Sequence, residues 1–181
     1  NRNYKDILNT LNSRKTSAIS VVKEYLNIRV EANELHLSKN RYCGEETPVI
    51  SETEIKVPGV TELVDMNCGV KTEIREIKNG FLEEFKQNKT NYEEAIDYDK
   101  VSMPLTVRTR KAGDRFQPLG SRGTKKIKDF FIDNKVPVIE RDTVPIVTMN
   151  GEPIWIVGFR IDDRIRISEE TTNLLVVKFE I

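Results

Sequence analysis

Apolar positions along this chain follow two rhythms, and the change from one to the other marks its elements. Tyr4, Ile7, Leu8 and Leu11 recur at helical spacing, which predicts a short amphipathic helix ending near Asn12 and Ser13. The run IRVEANELHLS then alternates apolar and polar residues on both sides of Ala32-Asn33, the pattern of two strands joined by a tight turn, with His36 on the second strand. Between residues 48 and 77, short alternating runs are broken at Pro58-Gly59 and Cys68-Gly69, as in a small antiparallel sheet. Residues 80–101 read as a short helix with Phe81, Leu82 and Phe85 on its buried side.

The last third is the most legible. PLTVRTR predicts a strand, AGDRFQPLGSRG a Gly- and Pro-rich loop, and TKKIKDFFIDNK a helix stopped before Pro137. PIVTMNGEPIWIVGF predicts a hairpin turning at Asn150-Gly151, the pair that best tolerates the two positive φ angles of a type I′ turn. RIRIS and NLLVVKFEI predict further strands. The expected fold class is α+β in two small units. Residues 1–101 would hold a short helix, a hairpin, a small sheet and a helix, and residues 102–181 an antiparallel sheet with one packed helix. The boundary is placed at residues 101–104, where Pro104 opens a new strand.

Composition supports two modest cores: 181 residues are 38% hydrophobic. No signal-peptide pattern opens the chain and no apolar run reaches membrane-spanning length, so a cytoplasmic protein away from membranes is expected. The first residue is Asn1 and not Met, which reads as a piece of something longer. With two cysteines, Cys43 and Cys68, and one histidine, neither a disulfide framework nor a four-ligand zinc site is expected.

Charge sharpens the picture because it is unevenly placed. The net charge is zero, yet residues 45–100 hold 14 acidic and 7 basic side chains, while residues 101–128 hold eight basic side chains against Asp114 alone. Glu83, Glu84, Glu93 and Glu94 read as the solvated decoration of a helix. The basic block is Arg108, Arg110, Lys111, Arg115, Arg122, Lys125, Lys126 and Lys128, and such a set repels itself unless an anion sits among it. Strand alternation turns Leu105, Val107 and Thr109 to the core and Thr106, Arg108 and Arg110 outward. In the helix Ile127, Phe130 and Phe131 share about 100° of arc, leaving Lys125, Lys126 and Lys128 wet. Lys125 and Lys126 are expected in the first helical turn, where the helix dipole disfavours cations by roughly 0.3–1 kcal/mol each. A phosphate bound there would reverse that sign, and Gly120 and Gly123 would let the backbone approach it.

Catalytic patterns are missing. GSRGTKK lacks the spacing of a P-loop, no nucleophile has a base, and Asp162-Asp163 beside Arg160 and Arg164 reads as a turn with ion pairs. Three readings remain on residues alone: an RNA-gripping part of an enzyme, a stand-alone RNA-binding module, and a structural or homodimerising domain in which the basic block of one copy meets the acidic block of another.

The order PLTVRTRKAGDRFQPLG, KKIKDFFIDNKVP, Arg141-Asp142, VPIV and GEPIWIVGFRID, within residues 104–162, closely resembles the C-terminal domain of bacterial tRNA(Ile)-lysidine synthases. Residues 48–103 fit the less distinctive stretch before it, including the VPG turn and DYDKVSMPL, and residues 1–47 match loosely. The resemblance implies an enzyme that uses ATP, with magnesium, to adenylate a wobble cytidine of tRNA(Ile) and then attaches L-lysine. In the family that chemistry belongs to an N-terminal domain with an S-G-G-x-D-S loop, and SGG occurs nowhere here. By that resemblance this chain holds no cofactor or catalytic residue of its own. Its basic block would grip phosphate and ribose of tRNA(Ile). Asp114 would orient Arg115 or fix the GDRF turn, and Phe116 reads as a core plug ahead of a base-stacking ring.

Overall fold

A computed structural model describes residues 18–21, 26–31, 34–39, 51–77 and 80–180. Two compact units result, Asn1–Thr47 and Pro48–Ile181. In the first, β1 (Ala18–Val21), β2 (Leu26–Glu31) and β3 (Glu34–Lys39) form an antiparallel sheet in the order β1-β2-β3. β2 and β3 are the expected hairpin, paired from Leu26 with Lys39 to Glu31 with Glu34. The helix expected over Tyr4 to Leu11 and the residue Cys43 lie outside the described residues.

The second unit holds two larger antiparallel sheets. One has the order β5-β6-β14-β7, from β5 (Gly59–Leu63), β6 (Cys68–Glu76), β7 (Glu93–Asp97) and β14 (Asn173–Glu180). The other has the order β13-β12-β11-β8-β4, from β4 (Thr53–Glu54), β8 (Leu105–Arg108), β11 (Ile146–Met149), β12 (Glu152–Ile156) and β13 (Arg160–Ile161). Helix α1 (Phe81–Asn88) precedes β7; Phe81, Leu82 and Phe85 are half-buried, with Phe81 and Phe85 stacked at 5.8 Å.

Three expectations change. Strands from both sides of residues 101–104 share each sheet: β4 pairs with β8, and β14 pairs with β6 and β7. The expected boundary at residues 101–104 is therefore not a structural division, because long-range strand pairing is invisible to a local change of charge. Glu93 and Glu94 lie on β7 and not on a helix, which has already ended at Asn88. The run RIRIS, residues 164–168, is the end of a 3₁₀ turn over Asp163–Ile165 followed by irregular chain, and the short strand Arg160–Ile161 precedes it.

One core joins the two sheets. Leu105, Val107, Val147, Ile154 and Trp155 meet Val70, Ile96, Leu175, Val177 and Phe179 there. Trp155 and Phe179 pack edge to face with ring centres 5.5 Å apart. A second core covers the opposite face of the five-stranded sheet: Ile146 and Ile156 meet Phe116, Ile127, Phe130, Phe131 and Val136. Its layer consists of β9 (Arg115–Phe116), β10 (Lys125–Lys126) and helix α2 (Ile127–Asp133). Phe116 is indeed a core plug, 1% exposed and edge-on to Phe130 at 5.0 Å. The hairpin turn is as expected: Asn150 has φ 51° and Gly151 φ 82°, and Met149 pairs with Glu152.

Candidate nucleic-acid interface

The two-sided burial of the five-stranded sheet decides the fate of the basic residues. Arg108 pairs in register with Ile146, so it shares that residue's face and points under the helical layer instead of into water. It is only 2% exposed. Its two Nη atoms donate to both carboxylate oxygens of Asp114 at 2.7 and 2.9 Å, and to the carbonyls of Thr109 and Gly151 at 2.9 Å each. Arg108 was expected outward; it is instead a buried clamp, because alternation gives two faces without saying what covers the second. Asp114 correspondingly serves Arg108 and not Arg115. It also fixes its own turn by accepting from the Lys111 backbone N–H at 2.7 Å.

Other members of the block have partners at the surface. Arg110 is half-buried and donates through Nε to Asp142 at 2.8 Å. The Lys111 ammonium sits 2.7 Å from Glu52, and that hydrogen bond holds the Glu52 carboxyl below its usual range. Lys125 pairs with Asp133, one helix length away. Neither Lys125 nor Lys126 lies in the first turn of α2. They form the short strand β10, with Lys126 as the helix N-cap, and the residues of the first turn are Ile127, Lys128 and Asp129. Because the helix begins two residues later than its pattern suggests, the dipole penalty is lifted from Lys125, while Lys126 at the N-cap and Lys128 in the first turn stay at the positive end of the helix. A seven-residue helix carrying Asp129 in its first turn also gives no reason to place an anion at its end.

Arg115, Arg122, Lys126 and Lys128 remain. All four are exposed, and none makes an ion pair or side-chain hydrogen bond among the described residues. Arg115 and Lys126 are register partners across the β9-β10 ribbon, so two cations stand side by side on one face. Directly opposed like charges destabilise a strand pair, and an anion between them removes that penalty. The ribbon itself is firmly placed: Phe116 is buried beneath it and the Ile127 N–H donates to the Asp114 carbonyl at 3.0 Å.

A second clamp holds the neighbouring loop, at the turn with ion pairs expected over Asp162-Asp163. Asp162 is fully buried and accepts from the Gln117 N–H at 2.8 Å and from the N–H and Nε of Arg164, each at 2.9 Å. Arg164 also reaches Glu152, and these hydrogen bonds raise its pKa further above neutrality. Asp163 accepts from the Gly120 N–H at 3.0 Å. No three His, Cys, Asp or Glu side chains converge to hold a metal ion, and no helix is long and apolar enough to cross a membrane, among the described residues. The Cys68 thiol is half-buried, and burial pushes its pKa up.

The architecture is thus that of an α+β domain of antiparallel sheets, the class of the solved TilS C-terminal domain. That crystal structure superposes with a TM-score of 0.58 at 29% identity, over 72% of this chain and 95% of the other. An N-terminal fragment of the phenylalanyl-tRNA synthetase β-subunit from Pyrococcus horikoshii shares the fold at a TM-score of 0.53 and 13% identity, covering 61% of this chain and 39% of the other. Residues 105–177 match the family described as TilS substrate C-terminal domain. Among curated proteins, the tRNA(Ile)-lysidine synthase of Caldanaerobacter subterraneus subsp. tengcongensis is 34% identical over 96% of this chain and 35% of its own length. That of Bacillus subtilis is 46% identical over 51% of this chain and 21% of its own length. Residues 105–177 thus match the TilS substrate C-terminal domain family, and the chain is similar to part of the tRNA(Ile)-lysidine synthases and to the solved TilS C-terminal domain. It spans about a third of the length of the first of these relatives.

Proposed function

We propose that this chain is the tRNA-gripping C-terminal part of a tRNA(Ile)-lysidine synthase and is not catalytic by itself. The whole enzyme would attach L-lysine to the wobble cytidine of tRNA(Ile) in the cytoplasm at the expense of ATP, with magnesium. ATP and lysine would be engaged outside this chain. The observation that supports the reading is the free basic set of Arg115, Arg122, Lys126 and Lys128, with its like-charged pair on the β9-β10 ribbon. Exposed cations on a rigid support bind phosphates and so position an RNA without reading its bases.

Binding of tRNA(Ile) to the chain as salt rises from about 50 to 200 mM tests this reading. Four phosphate contacts would give a slope of log K against log salt of about −3 to −4. Undetectable binding at about 50 mM rejects the proposal. Self-association that disappears at high salt, without RNA binding, favours the homodimer instead.

A further inference from the structure

Beside the ribbon the surface sinks into a groove of about 390 Å³, within the range of small-ligand sites of roughly 300–1,000 Å³. Arg115 and Thr124 stand on one wall, and Glu152 and Arg164 on the other. Both walls are locked together by buried ions. Arg108 joins Asp114 on the first wall to the Gly151 carbonyl on the second, and Asp162 joins the Gln117 N–H to Arg164. A groove braced in this way is formed before any ligand arrives, which lowers the ordering cost of binding.

Its chemistry suits a nucleobase inside and a phosphate at the rim. The Arg164 guanidinium is held by its edges, from Nε to Asp162 at 2.9 Å, from Nη2 to Asp162 at 3.2 Å and to the Pro153 carbonyl at 3.3 Å, and from Nη1 to Glu152. Its side chain is nevertheless 43% exposed. With the edges taken, its flat face is what remains for a ligand, and bases stack on guanidinium planes. Inside, Arg108 and Arg164 are paired with Asp114, Glu152 and Asp162, which leaves one negative charge that Arg115 balances from the rim, so the groove as a whole is neutral and offers both donors and acceptors. Arg115, with Lys126 opposite it in register, leaves free positive charge only at the edge.

From this we infer that the groove seats one unpaired RNA nucleotide, its base against Arg164 and its phosphate between Arg115 and Lys126. The inference rests on the tRNA-gripping reading above and narrows it to an unpaired position.

The test compares binding of the full chain to a single-stranded RNA of about ten nucleotides and to a blunt RNA duplex of about ten base pairs, with tRNA(Ile) as reference. Thr124→Tyr fills the groove from an exposed position and is expected to weaken single-strand binding at least about fivefold while leaving duplex binding nearly unchanged. Arg164→Lys keeps the charge but removes the plane, and should weaken single-strand binding about two- to fivefold with the same salt slope. Arg115→Gln should lower that slope by about 1. If Arg164→Lys also lowers the melting temperature, Thr124→Tyr decides alone. Unaltered single-strand binding in Thr124→Tyr, or equal losses for both probes, overturns the nucleotide seat and leaves tRNA binding standing. Failure of the unaltered chain to bind any of the three RNAs overturns both.

Discussion

Residues 108–111 and residues 115–128 carry the same sign of charge in neighbouring stretches, and the fold treats them oppositely. In the first, Arg108 is buried on Asp114, Arg110 is held by Asp142 and Lys111 by Glu52. In the second, among the described residues, only Lys125 has a carboxylate partner, while Arg115, Arg122, Lys126 and Lys128 face water. The difference comes from position in the layers. β8 is an interior strand with a core on each side, whereas the β9-β10 ribbon is the outer layer of the second core. A run of cations thus divides into structural and solvent-facing members, and charge density alone cannot tell them apart.

The largest expected effect comes from breaking the structural half. Asp114→Ala leaves Arg108 as an uncompensated buried charge and should destabilise the unit by about 3–5 kcal/mol in a denaturant titration. Arg115→Gln should stay within about 0.5 kcal/mol of the unaltered chain in the same measurement. Similar losses for both would erase the distinction drawn above.

The solvent-facing half should show the converse. Arg115→Glu combined with Lys126→Glu is expected to reduce the salt slope of tRNA binding by about 2. Stability should be unchanged, because two like charges in register are exchanged for two others. A drop in melting temperature at constant RNA affinity would reassign the pair to folding.

A smaller change tests the boundary between the halves. Glu52→Gln releases Lys111, which then becomes available to phosphate, and tRNA affinity at low salt should rise about two- to fivefold. No rise would mean that Lys111 faces away from the bound RNA.

The smallest effect is a control outside the basic block. Asp99 accepts hydrogen bonds from the hydroxyl and N–H of Thr172 and from Asn173, and these lower its pKa to about 2. A depressed folded-state pKa gives stability that is present above the unfolded value of about 3.9 and is lost as pH falls through about 2. Melting temperature should therefore fall between about pH 4 and 2, and Asp99→Asn should flatten that part of the profile without altering RNA binding at neutral pH. An unchanged profile in Asp99→Asn would remove Asp99 from the acid response.

What could be read from the sequence follows the range of the interactions involved. The Asn150-Gly151 turn, the strand at Leu105–Arg108, the β2-β3 hairpin and the burial of Phe116 and Phe130 were legible because each depends on a short window. Arg108 escapes local reading because alternation does not say what covers its face, and its clamp is closed by Asp114 together with the Gly151 carbonyl, 43 residues away. Lys125 and Lys126 read as helical because KKIKDFF keeps an amphipathic pattern through the change from strand to helix. The partners Glu52 and Asp142 lie 59 and 32 residues from Lys111 and Arg110, and nothing in local spacing announces them. The Asp162-Arg164 clamp left a readable trace, an acidic pair beside arginines, but its burial came only with the fold.

The place of β14 carries a consequence for biosynthesis. This strand lies between β6 and β7, so neither can complete its pairing until residues 173–180 have left the ribosome. During that interval the nascent polypeptide exposes two open strand edges and the apolar residues meant for Leu175, Val177 and Phe179. A premature stop before Asn173 would make the exposure permanent, and its product should be found in the insoluble fraction or removed by proteases.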